Sequence, residues 1–181
     1  FIDSEDNYLW FLTDHMAPNG KVVRLDFDNI SLGFEEVISE TTSSIRSVDF
    51  INQSFVINYL DNTFSNIKYF SKDGNEIGSL KLDSLGSISG FTGRKEDKSV
   101  FYSFTNFKQP AQIYKLNFLT GSSELFWEEK LSNFDANNYE TRLEFFPSKD
   151  GTLIPIHITH KKDLKIESNT PVLLYGYGGF N

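Results

Sequence analysis

An internal repeat constrains this chain more than any other feature. Three segments read alike: Tyr8 to Thr13 (YLWFLT), Phe55 to Leu60 (FVINYL) and Val100 to Thr105 (VFYSFT). Each is followed by a second run: Val22 to Phe27, Asn66 to Ser71 and Gln112 to Phe118. The second set is spaced by 44 and then 46 residues. A third run closes each unit: Phe34 to Ile38, Glu76 to Leu82 and Ser122 to Trp127. The second and third units also gain a preceding run, Ile45 to Ile51 and Ser87 to Phe91. Turn residues fall between the runs, as in Pro18-Asn19-Gly20, Lys72-Asp73-Gly74-Asn75 and Leu119-Thr120-Gly121-Ser122. About four short strands in a unit of ~45 residues describe a β-propeller blade. A sandwich of evenly spaced hairpins is the other arrangement such a pattern permits.

Composition agrees with sheet. There are 18 Phe, 8 Tyr and 2 Trp, but only Ala17, Ala111 and Ala136 among the alanines. Aromatic residues fit pleated surfaces, whereas helices favour alanine. The net charge of −8 lacks the basic excess of a nucleic-acid or anionic-membrane surface. No apolar run reaches the ~18 residues of a membrane span. With no cysteine, disulfides, thiolate metal sites and cysteine nucleophiles are excluded. The chain opens at Phe1 with neither Met nor a basic, apolar leader, so a piece of something larger without a signal peptide is expected.

The repeat stops near Leu131. From Tyr139 the alternation is strict: Tyr139, Thr141, Leu143 and Phe145 against Glu140, Arg142 and Glu144, the pattern of a half-buried strand. Pro147 to Gly151 turns the chain, and Ile154, Ile156 and Ile158 share one face of a second strand. Lys161 to Asn169 is polar and reads as a loop. Pro171 to Tyr175 is continuously apolar, as a strand buried on both faces is. It runs into Gly176-Tyr177-Gly178-Gly179-Phe180-Asn181. A glycine-rich exit from a buried strand is where an α/β sheet places its chemistry.

Those glycines allow close approach of backbone to a ligand; a tight turn with packed aromatics accounts for them equally well. The dinucleotide fingerprint needs G-x-G-x-x-G opening a helix after a strand, and the run G-Y-G-G-F-N is a weak match to it. Gly86-Ser87-Ile88-Ser89-Gly90 imitates a serine-hydrolase elbow but has Ile where the nucleophile belongs. His157 and His160 lie three apart on a strand and so face opposite ways, and His15 is distant, so no metal site is expected. The two strand histidines are expected at the surface or the strand edge. Glu35-Glu36 and Glu128-Glu129 read as solvated surface.

Phe146-Pro147-Ser148-Lys149-Asp150-Gly151-Thr152, Ile154-Pro155, His160-Lys161-Lys162 and Leu174-Tyr175-Gly176-Tyr177-Gly178-Gly179-Phe180-Asn181 together resemble the prolyl oligopeptidase family. Ser89 to Gly93 and Val100 to Thr105 are similar to that family's last propeller blade, and the opening through Asp26-Phe27 follows it too. The resemblance implies a mainly β fold. About three four-stranded blades, residues 1–131, would form the C-terminal part of a seven-bladed propeller. The first strands of an α/β-hydrolase domain, residues 132–181, would follow. It also implies a cytoplasmic serine endopeptidase that takes short proline-containing peptides and needs no cofactor or metal. Tyr177 matches the tyrosine whose hydroxyl helps form the oxyanion hole, and Phe180 an aromatic wall of the substrate pocket. Gly176, Gly178 and Gly179 shape the loop. The family's catalytic serine, aspartate and histidine come later than Asn181, so the chain alone is expected to be inactive. Three blades of a closed ring leave open sheet edges, so it is also expected to self-associate or to fold only in part. An oligopeptidase B-like enzyme cleaving after basic residues, with its Tyr-Gly-Ser-Tyr-Gly loop, and a non-catalytic propeller interaction module are the competing readings.

Overall fold

The computed structural model describes residues 1–176. Three four-stranded antiparallel sheets follow one another along the chain, and a two-stranded hairpin comes after them. Blade 1 comprises β1 (Ser4–Glu5), β2 (Tyr8–Thr13), β3 (Lys21–Asp26) and β4 (Phe34–Ile38). Blade 2 comprises β5 (Ser44–Ile51), β6 (Ser54–Asp61), β7 (Phe64–Phe70) and β8 (Glu76–Ser79). Blade 3 comprises β9 (Ser87–Ser89), β10 (Ser99–Asn106), β11 (Gln109–Asn117) and β12 (Ser122–Glu128). Strand order within each blade is sequential. The hairpin pairs β13 (Tyr139–Pro147) with β14 (Leu153–Lys161).

The repeat units therefore correspond to blades, although several strand ends differ, as at β8, which stops at Ser79 rather than Leu82, and β11, which begins at Gln109 rather than Gln112. Blade 1 has its own first strand, Ser4–Glu5, which is too short to leave an apolar signature. The run through Phe27 ends one residue earlier, at Asp26. There the Asp26 carboxylate accepts from the Asp28 amide at 2.9 Å and from Asn29 Nδ2 at 2.8 Å, capping a 3-10 helix over Phe27–Leu32.

Two apolar seams hold the blades together. Trp10, Val22 and Ile38 of blade 1 meet Phe50, Phe55, Ile57, Tyr59 and Phe70 of blade 2. Trp10 stacks on Phe50 with centroids 5.1 Å apart and meets Phe55 edge-on at 5.6 Å. Ile51, Val56, Ile67 and Leu80 of blade 2 meet Ile88, Phe91, Val100, Tyr102, Phe104 and Leu116 of blade 3. Strand β6 thus has a neighbour on each face. Its odd positions, Phe55, Ile57 and Tyr59, serve the first seam, and Val56 serves the second, which is why Ser54 to Tyr59 are buried on both faces. Burying one such aromatic side chain contributes roughly 1.5–3 kcal/mol.

The turn between the first and second strands of blade 2 holds blade 3, where the Gln53 amide donates to the Lys95 carbonyl at 3.1 Å. Lys95 Nζ in turn donates to the Ser4 carbonyl of blade 1 at 3.3 Å.

One expected element is absent. Pro171 to Tyr175, read above as a strand buried on both faces, is irregular and open to solvent, with Leu173 93% exposed. A strand exists only where another backbone pairs with it, and among the described residues none lies beside this segment.

Candidate functional site

The hairpin is the element that leads toward the glycine loop. Its register pairs Leu143 with His157, Phe145 with Pro155, Glu140 with His160 and Arg142 with Ile158. One face therefore carries Tyr139, Thr141, Leu143 and Phe145 with Thr159, His157 and Pro155. The other carries Glu140, Arg142 and Glu144 with His160, Ile158 and Ile156. The β13 alternation expected from the sequence is present as far as Glu144: Tyr139, Thr141 and Leu143 are half-buried, and Glu140, Arg142 and Glu144 are exposed, whereas Phe145, expected on the buried side, is 45% exposed near the turn. At the open end the Lys162 amide donates to the Asn138 carbonyl at 2.9 Å. At the closed end the Ser148 amide donates to the Thr152 carbonyl at 2.8 Å, and Gly151 takes φ +86°.

The two histidines point to opposite faces, as their spacing requires, but neither is a free surface group. His160 Nδ1 lies 2.8 Å from the Lys161 carbonyl, and its Nε2 lies 3.4 Å from Glu140 Oε1. His157 Nε2 lies 2.6 Å from Thr63 Oγ1 in blade 2, and its ring sits 4.9 Å from that of Phe107 in blade 3. Thr63 and Phe107 were not legible as site residues. They occupy the turns between the second and third strands of their blades. Asp61-Asn62-Thr63-Phe64 lacks the glycine that usually marks a two-residue hairpin turn.

Of the glycine loop, Gly176 lies among the described residues. It is exposed, and a Cβ there would meet none of the described residues within 4 Å. Tyr177, Gly178, Gly179 and Phe180 lie outside the described residues. Among the described residues no cluster of three His, Asp or Glu side chains is placed to hold a metal ion. No helix there is long and apolar enough to cross a membrane.

The remaining polar features are structural or superficial. Arg24 forks onto Glu35, with Nε and Nη2 at 2.8 and 3.0 Å, and its guanidinium lies 4.7 Å from the centre of the Tyr8 ring. Lys21 pairs with Glu36 at 3.2 Å. Glu35 and Glu36 are thus exposed, as expected, and also paired. In the seam between blades 2 and 3, burial pushes the Tyr69 phenol well above its ordinary range. Desolvation likewise pushes Asp49, half-buried on β5, up to about 6. A cavity of about 620 Å³ opens beside that seam, lined by Leu80, Leu82, Tyr102 and Tyr114 among others.

Comparison with known proteins bears on what this arrangement belongs to. The family described as prolyl oligopeptidase, N-terminal beta-propeller domain, matches residues 1–129. A prolyl endopeptidase of Elizabethkingia meningoseptica is 36% identical over 180 residues, covering 99% of this chain and 25% of the relative. The prolyl oligopeptidase ophP of Omphalotus olearius is 30% identical over 189 residues, again covering 99% of this chain and 25% of the relative. The chain therefore spans about a quarter of the length of these curated relatives. One of two prolyl endopeptidases studied for the role of inter-domain dynamics superposes with a TM-score of 0.81 at 29% identity, covering 90% of this chain and 24% of that one. Prolyl oligopeptidase B of Galerina marginata, solved with a 35mer hydrolysis and macrocyclization substrate, superposes with a TM-score of 0.81 at 25% identity, covering 91% of this chain and 23% of that one. With three sequential four-stranded blades matched over residues 1–129, this chain belongs to the prolyl oligopeptidase family.

Proposed function

We propose that this chain is part of a cytoplasmic serine-type prolyl endopeptidase that cleaves short peptides on the carboxyl side of proline and uses no cofactor. The observation that carries this reading is a conjunction along one chain. Three blades of the family's propeller are followed by a β-hairpin and then by the Leu174 to Asn181 sequence that resembles the family's oxyanion loop. Residues 1–131 form the C-terminal part of a seven-bladed propeller in this reading, and residues 132–181 begin the α/β-hydrolase domain. The propeller acts as a filter that keeps folded proteins from the site. Matching over nearly the whole chain to prolyl endopeptidases supports this over an oligopeptidase B-like specificity.

Peptide hydrolysis by a serine passes through a tetrahedral oxyanion, which preorganised donors stabilise. The Tyr177 hydroxyl supplies one donor, aimed by Gly176, Gly178 and Gly179, and Phe180 walls the proline pocket. In the complete enzyme, Tyr177→Phe lowers kcat by about 10²–10³ with little change in KM. Phe180→Ala instead raises KM and weakens the preference for proline. A panel of chromogenic peptides tests both parts of the reading. Equal kcat for Tyr177→Phe, with chemistry rate-limiting, removes Tyr177 from the site. Cleavage after Arg or Lys in place of Pro replaces the specificity, and no cleavage by the complete protein favours an interaction module. The chain by itself, which carries no nucleophile elbow, is expected to hydrolyse none of them.

A further inference from the structure

Thr63 stands in a backbone conformation that its side chain disfavours. The β6–β7 turn is closed by the Asp61–Phe64 pair, with Asn62 at φ +46° and Thr63 at φ +81°. Two positive φ values make the primed turn that suits a right-twisted hairpin, whose second position favours glycine. Asn tolerates the left-handed region, but a β-branched residue there is a steric outlier. Such outliers persist where the surroundings over-determine them.

The surroundings of Thr63 include one partner, 94 residues away in sequence. Its Oγ1 lies 2.6 Å from Nε2 of His157 on β14. The same imidazole rests against Phe107, in the corresponding turn of blade 3, at 4.9 Å between ring centres. Among the described residues Nδ1 of that ring is enclosed without a hydrogen-bond partner, and Thr63 Oγ1 is the ring's polar anchor. One side chain of the hairpin thus touches equivalent turns of two adjacent blades.

We propose that Thr63 and His157 form a clasp that seats the β13–β14 hairpin on the turns of blades 2 and 3. Residue 63 is threonine rather than glycine because the hydroxyl, not the turn, is what that position supplies. His157 is a positioning residue that sets where the hairpin stands against the propeller face. The clasp rests on the contact itself and does not depend on the peptidase reading.

Hydrogen exchange read by mass spectrometry tests both sides of the clasp at once, on this chain and on Thr63→Gly, Thr63→Ser and His157→Phe. In Thr63→Gly the turn is relieved and the hydroxyl lost. Amides 57–69 are expected to keep or gain protection, while amides 140–146 and 155–161 exchange about tenfold faster, the scale of one lost hydrogen bond. Thr63→Ser retains the hydroxyl and the hairpin's protection. His157→Phe retains the ring against Phe107, loses the hydrogen bond and matches Thr63→Gly at the hairpin. Unchanged hairpin exchange in Thr63→Gly overturns the clasp. So does a loss in Thr63→Ser as large as in Thr63→Gly, or hairpin exchange in the unsubstituted chain at the rate of an unfolded peptide. Loss of protection over 57–69 in Thr63→Gly overturns the claim that the turn itself prefers glycine.

Discussion

The side-chain amide of Asn58, on β6, donates to the main-chain carbonyl of Ile88, on β9, at 3.1 Å across the seam between blades 2 and 3. The Ile88 amide donates to Ser65 Oγ of β7 at 2.9 Å. Strand β9 is the edge of its sheet, so both backbone groups of Ile88 turn toward blade 2 rather than toward another strand. Polar side chains buried in an apolar seam thereby take the place of a missing ladder. Asn58→Leu leaves the carbonyl buried without a donor and is expected to cost about 1–3 kcal/mol. Ser65→Ala acts on the other backbone group of the same residue, so the double substitution should cost less than the sum. Urea midpoints for the three variants measure this. A midpoint for Asn58→Leu at or above that of the unsubstituted chain contradicts it.

Two glycines with similar backbones should respond unequally to alanine. Gly74 has φ +81°, and an added Cβ would stand 1.8 Å from the Val37 carbonyl oxygen of blade 1. Gly121 has φ +68° with nothing within 4 Å. Gly121→Ala pays only for the left-handed conformation, about 1 kcal/mol. Gly74→Ala must also push two blades apart and is expected to cost at least about twice that. Equal losses in chemical denaturation would show that the Gly74 turn moves freely away from β4.

Asp49 makes stability depend on pH in the direction opposite to most carboxylates. Desolvation raises its pKa in the folded chain to about 6, from an ordinary value of 3.8. Between those values the folded chain holds a proton that the unfolded chain releases, so stability falls as pH rises through about 4 to 6. The side chain is only half-buried, and screening by solvent reduces the effect to roughly 1 kcal/mol. Asp49→Asn is expected to raise the melting temperature at pH 7.5 and to leave it unchanged near pH 4. A difference of the same size at both pH values rules out this titration as the cause.

The outer face of blade 3 should drive association. Every residue of β12 is exposed, with Phe126 67% and Trp127 52% accessible, and Phe101 of β10 lies beside Phe126 at 4.9 Å. An open strand edge flanked by aromatics pairs with other chains, against the solubilising charge of −8. Sedimentation velocity over rising concentration is expected to show oligomers, and Phe126→Lys with Trp127→Glu to shift them toward monomer. A single monomeric species throughout for the unsubstituted chain would be the opposite outcome.

Blade boundaries were legible from sequence because their causes are local. Tyr8–Thr13 and Phe34–Ile38 are strands over the residues their apolar runs mark, and Gly20, Gly74 and Gly121 take the positive φ that their turns need. The hairpin was legible for the same reason, as period-two alternation records which side of a strand faces apolar matter. Partnership was not legible. FVINYL does not say that Phe55 meets Trp10 while Val56 joins the opposite seam, and PVLLY is equally apolar yet lies unpaired at the surface. The turn at Thr63 carries no glycine to announce it, and its bond to His157 joins residues 94 apart. Sequence alone thus determined the number of blades, the strands within them, the turns rich in glycine and the family resemblance of the final loop. Tertiary structure decided which faces meet, how Ile88 is satisfied and where His157 docks. Backbone periodicity is written in each residue's neighbours along the chain, whereas pairing and packing depend on groups that only folding brings together.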